Sequence, residues 1–353
     1  MDLTTIIGVS GIIVILLSLF FVGFRKRAKE KVEAQVEYIA GLNYLIEGDK
    51  ERALEKFKST VRMNTEFIDA YIKIGDIFRQ LKATDKAVKV HRDLLIRPNL
   101  KQRDRIAIIK SLASDYYELK QYPSALQSCK ELLSMQKHNV WAKGFELKIY
   151  ESMKDWQAAF DAVKKNSQLA HSEQKRRMAT YKVEIGRQLI EIERDHDARL
   201  RFREAIRIDP EYVPSYLELA DSYIREKREK DAFSVLERFI KTNPRSSGMA
   251  FARLKQVLFD LGHFGDIEKI YVELSSKNPE VIEGHIGLAE IYEKKGEIHK
   301  AIDAANKALA VDPNRLDTKL LLLKLNSKLG RDKIAAEIIT DLVNEFLKRE
   351  KSG

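Results

Sequence analysis

The sequence predicts an all-α chain in which one N-terminal transmembrane helix precedes a right-handed solenoid of paired helices. Three observations predict it. Residues 3–24 contain no charged side chain, and Asp-Pro or Asn-Pro pairs return about every 34 residues in the second half. Backbone breakers are also scarce, with 16 glycines and 7 prolines in 353 residues, roughly half of the usual share of about 12%. That scarcity argues against sandwiches, barrels and disordered chains, which need frequent turns or low hydrophobicity.

The apolar run from Leu3 to Phe24 is 22 residues long, enough to cross a hydrocarbon core that takes about 20 residues of helix. A cleaved signal peptide would carry positive charge before such a run and a small-residue site after it. Here Asp2 precedes it, and Arg25, Lys26, Arg27, Lys29 and Lys31 follow. The reading is an uncleaved anchor whose basic flank stays on the cytoplasmic side. Those five cations are the candidate membrane-surface residues, each contributing about 1 kcal/mol against anionic headgroups. Gly8, Gly11, Ser18 and Gly23 are small enough to let two such helices approach, without a clean small-xxx-small spacing. The expected bounds are 1–24 for the anchor, 25–34 for a basic juxtamembrane segment, 35–348 for the solenoid and 349–353 for a tail.

Within the solenoid, Pro210, Pro244, Pro279 and Pro313 mark successive units. Each unit sets a small or apolar residue in a first helix, an aromatic or apolar residue three later, and a small one nine after that. Ala220, Tyr223 and Ala232 show the pattern, as do Ala289, Tyr292 and Ala301. It extends upstream through Gly41, Tyr44 and Ala53, then Gly75, Phe78 and Ala87, then Ala113, Tyr116 and Ala125 after an insertion. Leu147, Tyr150 and Ala159 follow, and then Gly186, Leu189 and Ala198. Paired helices at a 34-residue period are the tetratricopeptide pattern, and the length allows roughly nine units. Small residues sit where two helices cross closely, the aromatic fills the space beside them, and Gly48, Gly262, Gly296 and Gly330 end first helices. The least regular stretch, 164–195, is expected to be a junction between two sub-arrays.

Motifs of catalysis do not occur. There is no phosphate-binding glycine loop, HExxH or CxxC. The seven histidines lack ligand spacing; His91 falls on a packing position of a second helix and reads as a hydrogen-bonded core residue, with Cys129 at the equivalent position of the next unit. His196-Asp197 reads as a turn pair. One cysteine permits neither an intrachain disulfide nor a cysteine-rich metal site. The expectation is therefore no enzyme, no cofactor and no metal. The net charge of +10 allows an anionic partner, but Arg97, Lys101, Arg103 and Arg105, and Arg199, Arg201, Arg203 and Arg207, read as solvated surface. No face concentrates basic and aromatic residues as nucleic-acid binding requires.

The run Tyr38-Ile39-Ala40-Gly41-Leu42-Asn43-Tyr44-Leu45 directly behind an anchor, the stretch from Asp85 to Leu100 with His91-Arg92-Asp93-Leu94-Leu95 before Arg97-Pro98, Gln102-Arg103, and Leu112-Ala113-Ser114-Asp115-Tyr116 together resemble the lipopolysaccharide assembly protein B family. The resemblance spans the anchor and, more loosely, the array to about Leu347. It implies a single-pass inner-membrane protein with cytoplasmic repeats that regulates lipopolysaccharide synthesis without catalysis. It further implies work with the membrane protease FtsH on turnover of the lipid A pathway deacetylase, an association with lipopolysaccharide transport components, and homodimers. The family ends in a rubredoxin-like module with two Cys-x-x-Cys pairs, whereas this sequence has no cysteine after Cys129.

A protein-binding groove lined by first-helix residues is the expected working surface. The register assigns to it Asp69, Ile72, Asp76 and Arg79, then Lys110, Ser114 and Tyr117, and further along Arg187, Asp221 and Arg225. The rival reading is a generic repeat scaffold for an envelope secretion or polysaccharide export complex.

Overall fold

The computed structural model describes residues 25–26, 29–165, 170–263 and 265–350, and among them there are helices and no strand. In chain order the helices are α1 (29–46), α2 (Lys50–Met63), α3 (Ile68–Gln80), α4 (Thr84–Leu95), α5 (Gln102–Glu118), α6 (Tyr122–Met135), α7 (Val140–Met153), α8 (Trp156–Lys164) and α9 (His171–Glu191). They continue as α10 (Asp195–Ile208), α11 (Val213–Arg225), α12 (Glu229–Thr242), α13 (Gly248–Asp260), α14 (Asp266–Lys277), α15 (Ile282–Lys294), α16 (Ile298–Val311), α17 (Leu316–Lys328) and α18 (Asp332–Glu350). Odd-numbered helices are the first members of the pairs that the sequence period marks. The chain divides into two compact units, Met1–Asp155 and Trp156–Gly353. The division falls upstream of the irregular stretch 164–195, most of which forms the 21-residue α9 packed on α10. The expected anchor, residues 1–24, lies outside the described residues, and none of the described helices is long and apolar enough to cross a membrane.

Each turn from a first to a second helix uses one residue in the left-handed region. Gly48, Gly262, Gly296 and Gly330 fill it with φ of 84°, 71°, 78° and 66°. Lys82, Lys120, Lys154, Glu193 and Lys227 do so at φ of 55° to 61°, against a steric cost of roughly 1–2 kcal/mol for a side chain. The backbone closes the same way at both kinds of site: Ala83 N donates to Phe78 O at 2.8 Å and Glu297 N to Tyr292 O at 2.8 Å, satisfying carbonyls at the helix end. Between units, Asp209 and Asp312 accept from the backbone N–H two residues on, at 3.0 Å each, so the Asp-Pro pairs are aspartate-capped turns. His196 and Asp197, expected in a turn, instead lie in the first turn of α10, because Arg194 occupies the N-cap and pairs with Asp197.

Packing within a pair follows a volume rule at a spacing of 16 residues. An alanine methyl at Gly41 would lie 2.7 Å from the Phe57 ring, at Gly75 2.4 Å from His91 Nε2, and at Gly186 2.3 Å from the Phe202 ring. Where the first helix carries alanine, the second carries something smaller than a ring: Cys129 opposite Ala113 and Leu236 in register with Ala220, all buried. In the second unit one apolar core runs from Ala179 to Leu325. In the first unit the core is a series of smaller clusters, centred on Phe57, Leu94, Cys129 and Leu132.

Candidate protein-binding face

In the first unit, α3 contributes a charged network and not the open row that the register suggests. Asp76 accepts from Arg79 at 2.7 Å, and Arg79 reaches across to Asp115 of α5, also at 2.7 Å. Burial works to lower the Arg79 guanidinium, and the carboxylates of Asp76 and Asp115 more than reverse it, holding it above its ordinary value. The other Asp115 oxygen accepts from His91 Nδ1 at 2.6 Å, and the remaining ring nitrogen lies 3.2 Å from the Ile72 carbonyl. His91 and Asp115 are fully buried, so the histidine is the core residue that its position predicted. Ile72 does not line a groove. Its side chain packs with Leu94, Ile108 and Leu112, because position 72 faces the next pair and not the solvent. Asp69 is exposed in the first turn of α3.

Lys110 and Tyr117 of α5 meet aromatic residues of α7. Lys110 Nζ stands 4.9 Å from the Trp141 ring, and Lys148 stands 4.6 Å from the Tyr117 ring. Trp141 stacks on Phe145 at 4.6 Å, Phe145 tilts against Tyr117 at 5.3 Å, and the Tyr117 hydroxyl bonds Ser152 Oγ at 2.8 Å. The three rings are half-buried and both lysines exposed. Ser114 Oγ donates to the Lys110 carbonyl of its own helix at 3.2 Å. The register found the α5 half of this patch and missed Trp141, Phe145 and Lys148. The signal was present in the i,i+4 pairing of one of only two tryptophans with a phenylalanine.

In the second unit, first helices are joined by ion pairs. Arg187 of α9 reaches Glu218 of α11 at 2.7 Å and Glu184 at 2.6 Å. Asp221 of α11 accepts two bonds from Arg253 of α13, at 2.6 and 2.8 Å, and this pairing raises the Arg253 guanidinium above its ordinary value. Lys255 of α13 donates to Glu290 of α15 at 2.8 Å, and Arg315 at the start of α17 donates to Glu283 of α15 at 3.2 Å. Exposed by about a third, such pairs contribute about 0–1 kcal/mol each; their larger effect is to fix which residues remain unengaged. Among them opens a cleft of about 520 Å³, with Met249, Phe251 and Ile286 as apolar lining and Arg245, Lys255 and Glu290 among the charged residues. Gly248 and Gly287 also line it, and a Cβ would lie 2.7 Å from Glu283 at the first and 2.2 Å from the Tyr271 ring at the second. Arg225 belongs elsewhere: its guanidinium pairs with Asp195 at the start of α10, at 3.3 Å.

Of the two basic groups read as solvated surface, Lys101, Arg103, Arg203 and Arg207 are exposed, and Arg199 is the exception. Arg199 is buried, bonded to Glu226 at 2.6 Å and to Ser222 at 3.2 Å, with its guanidinium 5.4 Å from the Tyr223 ring. Arg103 and Arg105 belong to α5, while Arg97 stacks on Tyr71 at 4.2 Å and donates to the Thr65 carbonyl at 2.7 Å. Burial pushes the Cys129 thiol up to about 12, which leaves it protonated and unreactive. Among the described residues no cluster of histidine, cysteine and carboxylates could hold a metal ion.

The tetratricopeptide repeat family matches residues 215–246 and 282–315. Lipopolysaccharide assembly protein B of Escherichia coli strain K12 is 21% identical over 311 residues, which cover 88% of this chain and 80% of that protein. The protein of the same name from Haemophilus influenzae is 22% identical over 270 residues, 73% of this chain and 67% of that one. A solved tetratricopeptide repeat protein from Parabacteroides merdae covers 83% of this chain at 15% identity with a TM-score of 0.31.

Proposed function

We propose that this chain, a tetratricopeptide-repeat relative of lipopolysaccharide assembly protein B, is a membrane-tethered, non-enzymatic adaptor that holds protein clients on its first-helix face and so regulates lipopolysaccharide assembly. The observation that carries the reading is the patch of Tyr117, Trp141 and Phe145 beside Lys110 and Lys148. Partly exposed tryptophan and tyrosine with adjacent cations are the residue types that dominate binding energy at protein interfaces, and the lysines favour clients with acidic segments. The finer reading is that the client is the lipid A pathway deacetylase, presented to the membrane protease FtsH at the cytoplasmic face of the inner membrane. What supports it is the likeness to the assembly proteins over most of the chain and the basic flank behind the apolar run. Tethering confines adaptor and protease to one thin layer, which raises effective concentration without a strong contact.

The test is crosslinking in native membranes followed by mass spectrometry. FtsH and lipid A pathway enzymes are expected among the products, and their yield should fall with Trp141→Ala and Lys148→Glu. Recovery of secretion or export components in their place would support the generic scaffold. Deleting residues 1–24 should leave helical content intact and impair regulation; unchanged deacetylase levels and lipopolysaccharide content in that strain would sink the reading.

A further inference from the structure

Helix α1 opens the first unit, and among the described residues no pair of helices precedes it. Its inner side is filled: Ala34 and Gly41 are buried, and Tyr38 packs against Phe57 at 5.5 Å and Phe67 at 4.7 Å. A terminal repeat stays soluble by turning a polar face outward, and α1 does not. Val32, Val36, Ile39 and Ile46 stand 64%, 60%, 51% and 85% exposed, and exposed Asn43 is the one polar residue among them. Spacings of four, three, four and three residues set all five along one side of the helix. Counted back at the same spacing, the line meets Lys29 and Arg25, both exposed.

We propose that this line of α1 lies in the headgroup layer of an anionic bilayer, cations first and aliphatic side chains immersed, so that the first unit rests on the membrane surface. The proposal rests on the anchored reading above. Two observations single out lipid as the occupant. The apolar run 3–24, which lies outside the described residues, ends eight residues before Val32. That is about 12 Å of helix, so the exposed line begins beside the surface that the run enters. The order of side chains is the second observation. Two cations followed by aliphatic residues suit a partner that is anionic at its surface and apolar beneath, which a headgroup layer is. A protein helix laid along the same line would bury those charges, at a cost. Lys29 also pairs with Glu33 at 3.8 Å, both at least half exposed, a contact of the kind that is weak in water. Helices of this type sink their apolar face by about 5–10 Å, enough to cover valine and isoleucine side chains. Helix α1 belongs to the same compact unit as Tyr117, Trp141 and Phe145, so the contact sets the height above the bilayer at which that patch meets a client.

Nitroxide labels on single-cysteine variants of the full-length chain test this in vesicles of phosphatidylethanolamine and phosphatidylglycerol, because the one native thiol, Cys129, is buried. The readout is collision with oxygen, which partitions into lipid, relative to collision with a water-soluble nickel chelate. The ratio at Val36→Cys and Ile39→Cys should be several-fold above that at Glu51→Cys, an exposed position of α2. Adding Val32→Glu to Ile39→Cys should bring the ratio down towards that at residue 51 with unchanged circular dichroism. In a chain that alkaline carbonate does not extract, labels at 36 and 39 that meet the nickel chelate as freely as the label at 51 overturn the surface contact and leave the anchoring intact. Labels shielded from both reagents do the same, since they place a protein surface on the line. A chain that carbonate extracts, with lipid contact at 36 and 39, overturns the anchoring and supports the surface contact; extraction without lipid contact overturns both.

Discussion

At Gly75 the chain has no room for even a methyl group, since a Cβ would come within 2.4 Å of a histidine ring that itself bridges Asp115 and the Ile72 carbonyl. Gly75→Ala is expected to destabilise the chain by about 1–3 kcal/mol. Gly144, inside α7 with nothing within 4 Å of its missing Cβ, is the contrast. Gly144→Ala should stabilise by about 0.5–1 kcal/mol. Urea denaturation of the two variants checks both signs. The sequence marked Gly75 as a crossing point and His91 as core, because volume is fixed by a residue's position within its own repeat. It did not reveal Asp115 as the partner, 24 residues on, because a buried carboxylate and an exposed one look the same in a helix full of charges. Ile72 was misplaced for a related reason: a first helix packs on two neighbours, so its solvent-facing strip is narrower than its register alone suggests.

Glu293 joins α15 to the next first helix, α17, by ion pairs. Its carboxylate accepts from Lys324 at 2.8 Å and from Lys328, and these two bonds hold it below the ordinary glutamate value of 4.5. A depressed acid stabilises the fold fully above its unfolded value and loses that contribution as pH falls through the folded one. Glu293→Gln should therefore lower the melting temperature at pH 7 and have progressively less effect below pH 4.5. Thermal denaturation at a series of pH values checks this, and an undiminished difference at pH 3 would contradict it. Such pairs were not legible in advance. The repeat period is 34, but the pairs that join first helices are separated by 31, 32, 35 or 36 residues, so alignment to the period places the partner on the wrong side chain. Helix boundaries and turns were far more legible, since glycine at the left-handed position announces four of them; lysine or glutamate at five others announces nothing.

Within each unit, helices bury their core against their neighbours along the chain, so damage should stay local. Tyr271 is 1% exposed, 4.3 Å from the Phe251 ring and pressed on Gly287. Tyr271→Ala should cost about 3–5 kcal/mol and speed amide hydrogen exchange in α13 to α16 while leaving α9 and α10 unchanged, as read by mass spectrometry. At this scale the repeat was the most legible feature of all, because a period sums many weak matches. The division after Asp155 was less so, since the irregular composition lies downstream of it. The ion pairs between first helices also bear on how the gene can change. Positions 187, 221 and 255, one period apart, are basic, acidic and basic, and their partners Glu218, Arg253 and Glu290 alternate in the opposite sense. An unequal recombination that dropped residues 213–246 would bring Arg187 against Arg253, like charge to like. Loss of two units would restore the alternation, so this stretch of the array tolerates changes of copy number by even steps and resists odd ones.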